Sequence, residues 1–257
     1  MVKKPALEVA KYPTGLDDKV KDFENRVLLQ QQIKSQILGI VGLGGVGKTT
    51  LAKEFYNNHQ NSEYDRTCFL FDVRSNSLTS SQRKLLNSLT GSDYPVTSVD
   101  EGTGKLRKHL SSANALVIID DVDNVDQLDA LFPHQTVLHS NSLVLITSRN
   151  KDVLTSRAEN SSIYKLRELN AQHSRELFCS HAFHQPYPVP RFESVVERYL
   201  ETCNGLPLSL KVFGALLYGK DISYCEEQLE NLQQILPTTK IHQRFKISYQ
   251  SLNKEEQ

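Results

Sequence analysis

The chain has 257 residues, 30 basic and 30 acidic, for a net charge of zero at neutral pH, with 39% hydrophobic and 23% charged residues. That composition suits a globular chain with a sizeable core and excludes a disordered or collagen-like one. The even charge balance gives no electrostatic footprint for general nucleic-acid or anionic-membrane binding, and the longest apolar runs fall far short of the roughly 18 residues that span a bilayer.

The polar first 36 residues hold a turn-like Tyr12-Pro13-Thr14-Gly15 and an acidic, helix-period segment from Asp17 to about Lys34. The opening MVKKPALEVAKYP has lysines but no apolar core, so no secretory signal is expected. Short β-branched or aromatic runs then alternate with helical patterns. The runs Ile37–Val41, Cys68–Val73, Ala115–Asp120, Ser142–Thr147 and Ser162–Leu166 read as strands buried on both faces. Helical spacing covers Lys48–His59, Leu78–Leu89, Gly102–Ser111, Asn124–Leu131 and Asn150–Ser156, while Thr90–Glu101 reads as a surface loop. This alternation predicts β-α-β units, and so a parallel sheet with right-handed crossovers.

After about Asn170 no further strand-like run appears. Helical patterns follow one another over Asn170–Ala182, Arg191–Cys203, Leu206–Tyr218, Ile222–Leu236 and Ile241–Ser251, with Pro-containing breaks between some of them. The shift predicts an α/β domain joined to a small all-helical one. Leu229, Leu232 and Leu236 keep helical spacing, which favours a helix over a leucine-rich repeat there. Four cysteines, Cys68, Cys179, Cys203 and Cys225, make no CxxC pair and no zinc spacing, as expected of reduced, buried thiols in the cytosol or nucleus.

The strongest chemical signal is Gly42-Leu43-Gly44-Gly45-Val46-Gly47-Lys48-Thr49, which fits G-x-x-x-x-G-K-[ST] between an apolar strand and a helix. The segment Gly44, Gly45, Val46, Gly47 can turn its N–H groups inward around a phosphate, because its glycines carry no Cβ to block the approach. The helix opening at Lys48 points its positive end at the same anion. Lys48 supplies an ammonium for the β- and γ-phosphates, the Thr49 hydroxyl is placed to ligate Mg²⁺, and Thr50 is placed to donate to the α-phosphate. Such a site needs an acidic residue at the end of a neighbouring strand to hold Mg²⁺, and Asp120 supplies it. Asp121 either acts as base or water-positioner, or begins the next turn.

Taken together, Gly42–Thr50, Leu116–Asp123, Ser142–Arg149 and Cys203–Leu208 resemble the ordered motifs of NB-ARC domains, the nucleotide-binding modules of plant disease-resistance receptors and related apoptotic ATPases. Asp123 and the segment Cys68–Arg74 look like the TIR-type receptors. The resemblance implies a P-loop NTPase α/β fold, a parallel sheet flanked by helices, followed by a small all-helical subdomain. In its terms residues 1–36 are a linker and adenine-side segment, 37–168 the nucleotide-binding domain, 169–237 the helical ARC subdomain, and 238–257 the start of a winged helix. It implies ADP or ATP with Mg²⁺ as ligands. Arg149 becomes a γ-phosphate sensor, where the plainer reading is a surface arginine paired with a carboxylate. Pro207 would pack near the adenine, although a proline at a helix start is favoured for its fixed φ alone. Thr14, Gly15 and Leu16 would lie along the adenine edge by backbone contacts, with Thr14 where an aliphatic residue is commoner.

The departures are also informative. Met1 is the sole methionine, so the family's Met-His-Asp motif does not occur in this sequence, and Asn150 replaces the usual Asp after the sensor arginine. Arg244–Leu252 resembles the beginning of the winged helix, so the resemblance implies a truncated receptor without TIR domain or repeats. The implied function is an ADP/ATP-binding switch of a plant intracellular immune receptor. Its helical part would close over the base, and the ATP state would permit self-association with other receptor chains. Any hydrolysis would be slow. Two alternatives stand beside it: a turning-over ATPase, and a nucleotide-free interaction fragment acting as decoy or regulator. Neither nucleic acid nor a membrane segment is implied, and the expected compartment is the cytoplasm or nucleus.

Overall fold

In the computed structural model, which describes residues 5–31, 37–62, 64–133, 137–159 and 162–235, the apolar runs form the strands β1 (Ile37–Val41), β2 (Arg66–Leu70), β3 (Ala115–Val122), β4 (Leu143–Ser148) and β5 (Ile163–Lys165). All pairings are parallel, in the order β2-β3-β4-β1-β5, with Ile37 opposite Val144 and Leu116 opposite Leu143. Every residue of β4 is buried, as expected of a central strand covered on both faces. The helices are α1 (Leu16–Gln31), α2 (Lys48–His59), α3 (Leu78–Thr90), α4 (Val99–Ser112), α5 (Val125–Leu131), α6 (Lys151–Thr155), α7 (Ala171–Phe183), α8 (Glu193–Cys203), α9 (Pro207–Leu217) and α10 (Ile222–Ile235). Among the described residues no helix is long and apolar enough to cross a membrane.

Element boundaries differ from the sequence reading by a few residues, and at two of them the local reason is plain. β2 stops at Leu70 and does not reach Val73, because Asp72 adopts a left-handed φ of 44° and the Val73 N–H turns to the Asp120 carbonyl at 2.9 Å. The stretch read as a loop up to Glu101 is already helical from Val99. Ser98 accepts the Glu101 N–H at 3.2 Å and the Glu101 carboxylate accepts the Thr97 N–H at 2.9 Å, a reciprocal cap that starts α4 early.

The chain divides into two units. The first comprises the segment ending at Lys11, Leu16–Leu43 and Lys48–Leu166. Its core sets Leu85, Leu86, Leu106 and Leu110 of α3 and α4 against Val117, Ile119, Val144 and Ile146 of the sheet. On α1, Phe23 meets Phe55 and Tyr164 edge-on at 5.2 and 5.4 Å between ring centroids. Gln82, fully buried, sends its Nε2 to the carbonyls of Val99 and Ala130 at 2.9 and 2.8 Å, which ties α3 to its neighbours. The donor side of this buried amide is thus satisfied, whereas its Oε1 has no hydrogen-bond partner among the described residues.

The second unit comprises Tyr12–Gly15, Gly44–Gly47 and the described residues from Arg167 to Ile235. Its helices enclose Phe178, Tyr199, Phe213, Cys203, Cys225 and Leu229, and the Tyr199 hydroxyl donates to the Cys225 carbonyl at 3.0 Å. Leu229 and Leu232 lie on α10, so this stretch is helix. All four cysteines are buried thiols, none in a disulfide among the described residues. The segments Ile241–Ser251 and Arg244–Leu252 lie outside the described residues.

Candidate nucleotide-binding site

Lys48, the first residue of α2, is only 7% exposed, and its Nζ donates to the carbonyls of Gly42 and Leu43, both at 2.9 Å. Burial pulls its ammonium down to about 8, Arg149 acts in the same direction, and Asp121 and Asp120 oppose it. The next residue, Thr49, directs its hydroxyl to both carboxylate oxygens of Asp120 at 3.0 Å. Asp120 is buried, and burial holds its carboxyl above the ordinary aspartate range against the pull of hydrogen bonds from Thr147 and Thr49. Thr50 follows on α2, half-buried.

The sheet order corrects one expectation. Asp120 does not end a strand adjacent to β1, since β4 lies between β1 and β3. The intervening strand contributes Thr147, whose hydroxyl donates to Asp120 Oδ1 at 2.7 Å and accepts the Asp121 N–H at 2.9 Å. Thr147 was not singled out from sequence. Its only signal there is a hydroxyl at the end of the otherwise apolar run Leu143–Ile146.

Asp121 has a left-handed φ of 55° at a register irregularity between Ile119 and Val122. Its carboxylate faces Arg149, with Nε to Oδ1 at 3.4 Å and Nη2 to Oδ2 at 3.4 Å. Arg149 is therefore paired with a carboxylate here, the plainer of the two roles its position allows. Arg74, a second residue given no role from sequence, brings its Nε to 3.9 Å from Asp121 Oδ2 and bonds Asp123 Oδ1 through Nη2 at 2.9 Å. Asn150, in place of the family's Asp, caps α6 by accepting the Asp152 N–H at 2.9 Å, a task asparagine performs as well as aspartate.

In the loop before Lys48, Gly45 and Gly47 have φ of 79° and 100°, conformations that side chains with a Cβ adopt at a cost. A Cβ on Gly47 would project into open space, and one on Gly45 would come within 2.6 Å of the Leu208 Cβ. Gly44 stands half-buried beside them, and Val46 is buried. The Leu208 N–H donates to the Gly45 carbonyl at 3.2 Å, and the preceding Pro207 is the first residue of α9, where its missing N–H costs no helical bond. Thr14 and Gly15 are half-buried, and a Cβ on Gly15 would sit 2.5 Å from His173 Nδ1. Leu16 opens α1 and is buried.

The structure thus brings Lys48, Thr49, Asp120, Asp121 and Arg149 together at the carboxyl ends of the strands, where ligands bind in open α/β sheets. The donor set fits a polyphosphate with its metal. A hydroxyl and a carboxylate are hard oxygen ligands of the kind Mg²⁺ takes, and the glycine turn leaves open the space that a side chain at Gly47 would fill.

The NB-ARC domain family model matches residues 17–187. Among curated proteins, the chain is 34% identical over 254 residues to disease resistance protein RPV1 of Vitis rotundifolia, covering 96% of this chain and 18% of that protein. It is 30% identical over 252 residues to TMV resistance protein N of Nicotiana glutinosa, covering 95% of this chain and 22% of that protein. The chain therefore spans about a fifth of the length of these relatives. Among solved structures it is similar to Cdc6p of Pyrobaculum aerophilum, with a TM-score of 0.58 and 14% identity over 91% of this chain and 73% of that one. It is also similar to PCH-2 of C. elegans, with a TM-score of 0.51 and 15% identity over 89% and 71%. At such identities the likeness is one of fold, the α/β P-loop NTPase class with a parallel sheet flanked by helices. By the reach of the family model and the motifs it shares, this chain belongs to the NB-ARC family.

Proposed function

We propose that this chain is the ADP/ATP-binding switch module of a plant intracellular immune receptor, coupling the nucleotide's third phosphate to conformation and so to defence signalling. The observation that carries the reading is the Thr49–Asp120 pair at 3.0 Å beside the buried Lys48. Family membership supports nucleotide as the ligand, and the likeness to plant disease-resistance proteins supports the receptor setting.

In this reading the N–H groups of Gly44–Gly47 and the first turn of α2 bind phosphoryl oxygens, with Thr50 at the α-phosphate. The Lys48 ammonium, now satisfied by two carbonyls, binds the terminal phosphates. Thr49 and Asp120 would hold Mg²⁺, which when bound supplies positive charge against the phosphates. Thr14, Gly15, Leu16 and Pro207 would meet the adenine, a preference that rests on the family. Arg149 reads the γ-phosphate at the expense of its pair with Asp121. Hydrolysis, in this reading, is slow. Self-association with other receptor chains in the ATP state, in the cytoplasm or nucleus, belongs to the same proposal.

Chromatography and mass spectrometry of the denatured, natively purified protein test it, with ADP expected in near-stoichiometric amount. A folded protein that carries no nucleotide and takes up neither ADP nor ATP in calorimetry overturns it. Sustained phosphate release faster than about 1 s⁻¹ would identify a turning-over ATPase instead of a switch.

A further inference from the structure

The turn between β2 and α3 is built to fix one side chain, Arg74. Asp72 takes the left-handed conformation, the Val73 N–H donates to the Asp120 carbonyl at 2.9 Å, and the Ser75 N–H returns to the Asp72 carbonyl at 3.0 Å. Asn76 closes the turn by donating Nδ2 to the carbonyls of Phe71 and Asp72 at 3.0 and 2.9 Å, and Val73 is completely buried. The turn is thereby anchored to Asp120 itself. Its product is a guanidinium whose Nη2 holds Asp123 at 2.9 Å and whose buried Nε has no hydrogen-bond partner among the described residues.

That Nε lies 3.9 Å from Asp121 Oδ2, the same oxygen that Arg149 Nη2 approaches at 3.4 Å. Charge-assisted bonds between such groups close to about 2.7–2.9 Å when one partner has sole possession. Neither arginine has it. Two guanidinium groups therefore divide one carboxylate, and each is held less firmly than it would be alone.

We propose that Arg74 is a positioning residue that sets ATP-versus-ADP discrimination by sharing Asp121 with Arg149. The inference rests on the reading of Arg149 as the γ-phosphate sensor. Arg149 must leave Asp121 to meet a third phosphate, and Arg74 lowers the cost of leaving because it remains behind to neutralise the carboxylate. ADP makes no such demand, so its affinity is independent of Arg74.

Calorimetric titration of the whole chain with Mg²⁺ and either ADP or a non-hydrolysable ATP analogue tests this. Arg74→Ala is expected to weaken the analogue about 5-fold while leaving ADP unchanged, a size at the lower end of typical site-to-site couplings. Asp121→Asn releases Arg149 and shifts the preference the other way, and in that background Arg74→Ala has no further effect. Should Arg74→Ala fail to fold, Arg74→Gln, which keeps the packing of the stem, carries the same expectation. Equal weakening of both nucleotides, or an undiminished Arg74 effect in Asp121→Asn, overturns the proposal. A wild-type chain that binds neither nucleotide overturns the switch reading first, before any variant is compared.

Discussion

Thr147 donates its hydroxyl to Asp120 at 2.7 Å from β4, the strand that lies between β3 and β1. The same oxygen accepts the Asp121 N–H at 2.9 Å, so one fully buried hydroxyl orients two consecutive acidic residues.

Thr147→Val keeps the shape and removes both bonds, leaving the Asp121 N–H unpaired. A cost of about 1–3 kcal/mol in unfolding free energy is expected, with most of it recovered in Thr147→Ser. Urea denaturation midpoints of the three proteins measure it. Equal stability of the Val and Ser variants would contradict the hydroxyl's role.

Lys48→Ala removes the cation and should reduce nucleotide affinity by about 10- to 100-fold while the chain stays folded. Unchanged affinity would count against the assignment. The lowered ammonium also has a consequence without nucleotide. Its value near 8 lies below the ordinary 10.5, so between these pH values the unfolded chain binds more protons and stability rises with pH. Lys48→Met lacks this increment. The stability difference between wild type and variant should therefore move in favour of wild type as pH is raised from 8 toward 10.5, as followed by thermal melts.

Asp120 carries the opposite sign. Its carboxyl titrates above the ordinary 3.8, chiefly because it is buried, so the ionised form opposes folding once pH exceeds that range. Asp120→Asn, which keeps an oxygen for the two threonines, should melt higher than wild type at pH 7, with the advantage shrinking as pH falls toward 4. The same variant should lose the Mg²⁺ dependence of ATP binding. A lower melting temperature for Asp120→Asn at pH 7 would show that ionised Asp120 does not strain the fold.

The thiols should be inert in the folded chain. All four are buried, and burial pushes the Cys179 thiol up to about 12 and Cys203 higher still, so almost no thiolate is present at neutral pH. Mass spectrometry after iodoacetamide treatment should find no adduct under native conditions and four in denaturant.

The parts of this architecture that are legible in the sequence are the strongly patterned ones. Ile37–Val41, the glycine turn and Lys48–His59 declare themselves because an apolar run, a φ requirement and a helical period follow one another without ambiguity. The end of β2 was misplaced because Phe71 and Val73 continue the apolar run, while the residue that breaks it, Asp72, does so through a backbone angle. The start of α4 was hidden because the cap Ser98 and Glu101 sit in a stretch whose composition reads as loop. Thr147 and Arg74 escaped for a different reason. Each acts through partners at the ends of other strands, Asp120 and Asp121, and no spacing along the chain records that proximity.

The interposed β4 has a consequence for how the site is gauged. The strand that leads into the glycine turn and the strand that carries Asp120, the acid proposed to hold Mg²⁺, lie two positions apart, a span of roughly 10 Å at ordinary sheet spacing. The hydroxyl of Thr49 bridges it from one side and that of Thr147 props it from the middle. The sheet's own width thus works as a fixed calliper jaw. A replacement deep in the sheet at Val144 or Leu145 that altered the spacing of these strands would detune the proposed grip without touching any residue proposed to meet the ligand.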